Sequence, residues 1–151
     1  MIKIKLLVSD ARYDELAKEL TSKGFILDED ADLLLTEKDL FADHLIVRDI
    51  TKNERVRIST EDIIFVESFG HDIVMHTQQG EFKADERLYQ LERLLNPEQF
   101  IRISNSVIVA RNKIDRITPA LSSKFILTLS NGQSVDVTRS YYDIFRDRLG
   151  I

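Results

Sequence analysis

Three small polar residues, Ser104-Asn105-Ser106, stand between two β-branched segments and carry the side chain best suited to recognition chemistry. An asparagine amide offers a donor and an acceptor side by side, the pattern that pairs with adenine N6 and N7 in a major groove. At a loop tip between anchored strands, such a group is held ready for a partner. The plainer reading is a turn residue whose amide satisfies only its own backbone. Nucleophilic chemistry fits poorly, because Ser104 and Ser106 lack a glycine-flanked elbow and a histidine nearby in sequence. His44, His71 and His76 show no zinc spacing, cysteine is absent, and the 5 glycines are scattered singly with no phosphate-binding loop. Disulfides and thiolate metal sites are therefore excluded, and no cofactor is expected.

The elements that must position this tip are legible on both sides. Ile101 and Ile103 alternate with Arg102 and Ser104, a half-buried strand, and Val107-Ile-Val109 reads as a strand covered on both faces. Upstream, Leu45 to Asp49 pairs through Thr51-Lys-Asn-Glu with Arg55 to Ile58. Ile63 to Glu67 and Ile73 to Thr77 are strands, and Ser68 to Asp72 is the loop that carries His71. Gln78 to Glu81 makes a turn. Asp85 is expected to cap a helix that faces inward with Leu88, Leu91, Leu94 and Leu95 and ends at Asn96-Pro97. Downstream, Ile114 to Ile117 is a strand and Pro119 to Ser123 a loop. Phe125 to Leu129 and Ser134 to Val137 form a hairpin across Asn131-Gly132. Ser140 to Asp143 fits a capping box opening a last helix that buries Tyr141, Ile144, Phe145 and Leu149.

The first 44 residues differ in character. Ile2 to Val8 reads as a strand, and Asp10 as the cap of a helix with Tyr13, Leu16, Ala17 and Leu20 on one face. Gly24 ends that helix, and Phe25-Ile-Leu and Leu33-Leu-Leu give two further short strands. Residues 1–50 hold 7 basic against 12 acidic side chains, whereas residues 51–151 hold 14 of each. Within 97–142, six basic residues face three acidic ones, a mildly basic stretch that permits a polyanionic partner without announcing one. The strand–helix–strand opening is similar to that of a response-regulator receiver domain, with Asp10 after the first strand and Asp49 roughly where a phosphoacceptor would sit. A receiver requires continued parallel strand–helix alternation, and none follows residue 50, so phosphorylation is not expected. No apolar run reaches the roughly 18 residues of a membrane span. The charged N-terminus is no secretion signal, and a cytoplasmic protein without membrane insertion is expected.

One set of motifs recurs in a familiar order: Ile63-Ile-Phe-Val-Glu67, the His76-Thr77 strand end and Leu91-Glu92 on a helix. Phe100-Ile-Arg102, Ser106-Val-Ile-Val109 and Ile114 follow, and then Asn131-Gly132 and Val135-Asp-Val137-Thr-Arg139-Ser-Tyr. Together these resemble the LytTR-type DNA-binding domain of bacterial transcription regulators over about residues 54–150. Ser104 stands where that family usually has His, Asp72 where it often has an aromatic, and Ala110 where it has Asn. The resemblance implies an α+β, mainly β fold of stacked sheets, elongated, in which loops and no recognition helix enter successive major grooves. With the strand expected from Leu45 added to the match, the chain is read as a LytTR-like domain over 45–151 preceded by the small αβ appendage 1–44.

The resemblance also implies that His71, Asn105 and Arg139 contact bases. Arginine can grip guanine O6 and N7, and histidine can donate to a guanine acceptor or a phosphate. Without the resemblance, His71 reads as a solvated loop residue and Arg139 as a surface ion-pair partner. Arg139 also directly precedes a helix N-terminus, which favours a phosphate, and Ser106, Lys113 and Ser140 are nearby candidates for phosphate contacts that set register. The partner expected is double-stranded DNA with repeated sites. The chain is also expected to form a homo-oligomer such as a homodimer, and to meet a regulatory protein through its acidic segment. A protein-interaction β module that never binds DNA is the alternative. Steep salt dependence of duplex binding separates the two.

Overall fold

The computed structural model of the chain describes residues 1–38 and 40–151. The alternating patterns become thirteen strands and three α-helices among these residues, divided into two compact units, Met1–Phe41 and Ala42–Ile151.

In the first unit, β1 (Lys3–Leu7) runs parallel between β2 (Ile26–Leu27) and β3 (Leu33–Thr36). Ile4 and Leu6 are buried. Helix α1 (Asp10–Ser22) turns Tyr13, Leu16, Ala17 and Leu20 inward, its only partly buried positions, as its 3.6-residue period predicts. Asp10 is not its cap. Ser9 takes that position, and both its amide and its hydroxyl donate to Glu37 Oε1 at 2.8 Å, so Asp10 becomes the first helical residue. Those two bonds, with Arg12 nearby, hold the Glu37 carboxyl below its usual range.

The second unit is entirely antiparallel in its sheets. Strands β4 (His44–Asp49), β5 (Glu54–Ser59), β6 (Ile63–Phe69), β7 (Asp72–Thr77) and β8 (Gly80–Ala84) precede helix α2 (Leu88–Leu94). They are joined by β9 (Phe100–Arg102) and β10 (Val107–Ala110) in one sheet ordered β5-β4-β8-β7-β6-β10-β9. Asp49, in this unit, accepts from the Thr51 hydroxyl at 2.7 Å and closes the β4–β5 turn, while Asp10 belongs to the other unit. A second sheet, β11 (Ile114–Ala120), β12 (Lys124–Leu129) and β13 (Ser134–Val137), is followed by α3 (Tyr142–Leu149).

Strand pleating explains the layering. On β10, Ile108 and Ala110 join a core with Leu88, Leu91 and Leu95 around α2, whereas Val107 and Val109 join a core with Leu127, Val137 and Phe145 on the opposite face. The uninterrupted β-branched run is thus a strand covered on both sides. On β6 a register irregularity between Ile63 and Phe65 lets Ile64 and Phe65 share the second core while Ile63 and Val66 serve the first. Phe125 closes the second core, stacked on Tyr142 at 4.7 Å and tilted against Phe145 at 5.6 Å.

Several local expectations are corrected by tertiary partners. Asp85 does not cap α2; it pairs with Arg48 at 2.8 Å, and the Arg87 amide at the helix start donates to Gln90 Oε1. Leu94 and Ile144 point outward, at 38% and 53% exposure, because neighbouring positions already fill each helix's contact stripe. Ser140 is no cap either: Arg139–Tyr141 forms a 3-10 turn, and α3 begins at Tyr142 without a side-chain cap. Pro119 and Ala120 continue β11 where a loop was expected. An edge strand tolerates a proline because its missing N–H is not needed by a neighbour.

Candidate nucleic-acid interface

The Ser104–Ser106 tip is a built loop. Ile103 N–H donates to Val107 O at 3.0 Å, closing the bend between β9 and β10. From β9, the Arg102 guanidinium donates to two loop carbonyls, Ser104 O and Asn105 O, each at 2.6 Å. The same side chain reaches Glu92 Oε1 of α2 at 3.4 Å, which ties the loop to the first core. Ser104, buried, accepts the Ser106 amide with its Oγ at 3.2 Å. These contacts fix the backbone and leave Asn105 exposed. Its Oδ1 accepts from the Tyr141 hydroxyl at 3.3 Å, and Nδ2 has no partner among the described residues. An amide held at its oxygen with its NH₂ free is oriented to donate outward.

His71 is brought beside this loop by sheet register. Strand β6 pairs with β10 at Glu67↔Val107, and the Ser68 amide donates to Ser106 O at 2.8 Å. One residue on, Phe69 pairs with Asp72 across a two-residue turn, Gly70-His71. Gly70 has φ +62°, the left-handed region demanded at the first position of a type II′ turn, and the exposed His71 follows it. Arg87 Nη1 braces the turn at His71 O, 3.4 Å away. Asp72 lies next to the histidine as an anion: its ion pair with Lys83 at 2.9 Å holds its carboxyl below the usual range.

Arg139 arrives from the other sheet. The Thr138 amide donates to Ile103 O at 3.0 Å, so the 3-10 turn bearing exposed Arg139 and Ser140 is fastened at the root of the Asn105 loop. Five of the six residues singled out, His71, Asn105, Ser106, Arg139 and Ser140, thus belong to three segments fastened to one another. Lys113 does not join them. It follows the opposite end of β10, about 10 Å along a four-residue strand, and its carbonyl accepts from Ser130 N at 2.9 Å. There Arg111 and Lys113 share an open depression of about 670 Å³ with Glu61, Asp62 and Glu98, a mixed-charge surface.

Sequence reasoning missed Arg102 and Tyr141 as positioning residues. Arg102 reads only as the outward member of an alternating strand, and nothing local says its guanidinium bonds the next loop. Among the described residues no cluster of three or more ligating side chains occurs. The buried His76 has two carboxylates, but Glu67 sits on Nε2 at 2.8 Å and Glu81 on Nδ1 at 3.3 Å, opposite ring nitrogens that one ion cannot serve.

The family model described as the LytTr DNA-binding domain matches residues 53–150. The sensory transduction protein LytT of Enterococcus faecalis is 31% identical over 94 residues, which cover 62% of this chain and 39% of that protein. The transcriptional regulatory protein LytR of Staphylococcus aureus is 27% identical over 94 residues, covering 62% of this chain and 38% of that protein. The matches therefore span about two fifths of these curated relatives. A solved LytTr DNA-binding domain of a putative methyl-accepting/DNA response regulator from Bacillus cereus superposes with a TM-score of 0.69 at 25% identity. It covers 73% of this chain and 99% of that one.

Proposed function

The chain belongs to the LytTr DNA-binding domain family, and on that footing we propose that it is a transcription regulator that binds double-stranded DNA sequence-specifically through loops in the major groove. The observation that carries this reading is the Tyr141–Asn105 bond at 3.3 Å, which joins two of the three exposed segments. His71, Asn105 and Arg139 are read as base contacts, with chemistry suited to guanine, adenine and guanine edges. Ser106 and Ser140, at the margins of the same patch, are read as phosphate contacts that fix register. Lys113 is assigned a phosphate on a flanking part of the duplex, because it stands apart from the tip.

The first unit is read as the element for self-association or for a regulatory protein. Its support is the edge strand β3, whose Leu33, Leu34 and Leu35 are 57%, 43% and 40% exposed. A unit of about 40 residues buries too little surface to stand alone, so a second contact is expected of it. A homodimer would present two copies of the recognition patch and match repeated sites. No helix among the described residues is long and apolar enough to cross a membrane. A cytoplasmic location and the absence of catalytic activity complete the reading.

The direct test is selection of bound duplexes from a random pool. Enrichment of a defined site, with affinity falling steeply as salt rises, is the expected result. An unenriched pool, or binding indifferent to salt, would return the second unit to the class of protein-interaction modules.

A further inference from the structure

The site contains one residue that neither polar chemistry nor folding explains. Phe69 is 74% exposed and is the most exposed aromatic side chain among the described residues. It is the last residue of β6, paired with Asp72 across the turn that carries His71. On its other side, the pairing of β6 with β10, Glu67↔Val107 and then Ser68 to Ser106, runs on toward Asn105. Phe69 therefore stands between the His71 turn and the Asn105 loop. Strand alternation puts it on the face of Glu67 and Phe65, the side from which the second sheet supplies Tyr141 and Arg139.

A ring left in water at this point contributes almost nothing to the fold, and both neighbouring cores close without it. Its value lies in what it can cover. The edges of base pairs in a major groove offer one apolar feature, the C5-methyl of thymine, and a phenyl ring is suited to pack on it. Resting on the DNA-binding reading above, we infer that Phe69 is a specificity-determining residue that packs against a thymine methyl adjoining the base pairs read by His71 and Asn105. An exposed aromatic between two hydrogen-bonding readers would thus add a thymine requirement that amide, imidazole and guanidinium groups cannot supply.

The test uses the full chain, its Phe69→Ala and Phe69→Leu variants, and the duplex recovered by selection, with each thymine replaced in turn by uracil. That replacement removes the methyl and nothing else. For the parent chain, uracil at one or two positions is expected to weaken binding about three- to fivefold, the worth of one apolar group withdrawn from water. At those positions Phe69→Ala should bind thymine and uracil duplexes alike, with Phe69→Leu intermediate. Both variants should keep the parent's circular dichroism, because the ring is exposed. The inference is overturned if uracil costs both chains equally, if it costs neither, or if Phe69→Ala weakens every duplex by one common factor. Failure of the parent to prefer any duplex would overturn the DNA-binding reading itself, a separate outcome.

Discussion

Arg102 donates to the backbone oxygen of Asn105 at 2.6 Å, so the residue that presents the amide is itself held by a side chain three positions earlier. With its second bond to Ser104 O and its ion pair to Glu92, Arg102 links helix α2 to the Asn105 loop. Arg102→Ala should leave the fold assembled but loosen the tip. The expected outcome is a loss of specific affinity of about 1–2 kcal/mol, with smaller change on random duplexes, since preorganisation and no base contact has been removed. Titration of both duplexes by fluorescence anisotropy checks this. Equal loss on both would assign Arg102 to the phosphates instead.

The readers and the phosphate contacts should separate by their dependence on sequence and salt. Asn105→Ala and Arg139→Ala are each expected to cost about 1–3 kcal/mol at the selected site and to relax discrimination at one or two base pairs. Lys113→Ala should weaken all sequences alike and reduce the salt slope by about one unit. Binding isotherms at two salt concentrations measure both quantities. If Asn105→Ala and Arg139→Ala with native circular dichroism bind as tightly as the parent, the patch is not the reading surface.

Acid stability should fall through the carboxylates that the fold engages. The Asp72 carboxyl is lowered from 3.8, chiefly by its hydrogen bond and ion pair with Lys83. Asp43 is lowered first by its bond to His44, and Asp49 by the Thr51 hydroxyl. A depressed carboxyl binds its proton less readily when folded, so its stabilisation is present above the ordinary value. It is lost as pH falls through the lower folded value. Urea midpoints should therefore decline below about pH 4, and Asp72→Asn should flatten that decline. An unchanged acid slope in Asp72→Asn would remove the Lys83 pair from the account.

His76 is a structural clamp. Its ring stacks on Phe65 with centroids 4.0 Å apart and planes at 9°, and its nitrogens contact Glu67 on β6 and Glu81 on β8. Replacing it with alanine removes a buried ring and leaves two carboxylates without their partner. A destabilisation of about 2–4 kcal/mol is expected in chemical denaturation. A shift under about 0.5 kcal/mol would mean that neither carboxylate contact persists in solution.

Removing the first unit should change assembly and spare recognition. The family match begins at residue 53, but β4 pairs with both β5 and β8, and Leu45 and Val47 are core residues. The cut therefore belongs before Ala42, since a chain starting near Asn53 would lose a strand of the main sheet. The chain from Ala42 onward should fold and bind the selected duplex, with reduced self-association in sedimentation or weaker binding to paired sites. Identical sedimentation and identical affinity would leave the first unit without the proposed role.

What the sequence determined by itself was most of the elements and most of their inward faces, Leu94, Ile144 and the Pro119–Ala120 end of β11 apart, because those follow from short-range periodicity. Val107-Ile-Val109 announced a strand covered on both sides, and Asn131-Gly132 announced a hairpin whose Gly132 has φ +84°. The α1 stripe of Tyr13, Leu16, Ala17 and Leu20 was likewise legible. The resemblance to LytTR domains pointed to His71, Asn105 and Arg139 as expected base contacts, but no local pattern says that these distant residues meet. Their convergence required the Ser68–Ser106 and Thr138–Ile103 backbone bonds, which exist only once two sheets are stacked. Tertiary contacts also decided which polar groups were free to cap. Asp85 was taken by Arg48, and Ser9 turned to Glu37. A charged partner from a segment distant in sequence outcompetes a neighbouring amide, and such partners are invisible to any short window of sequence.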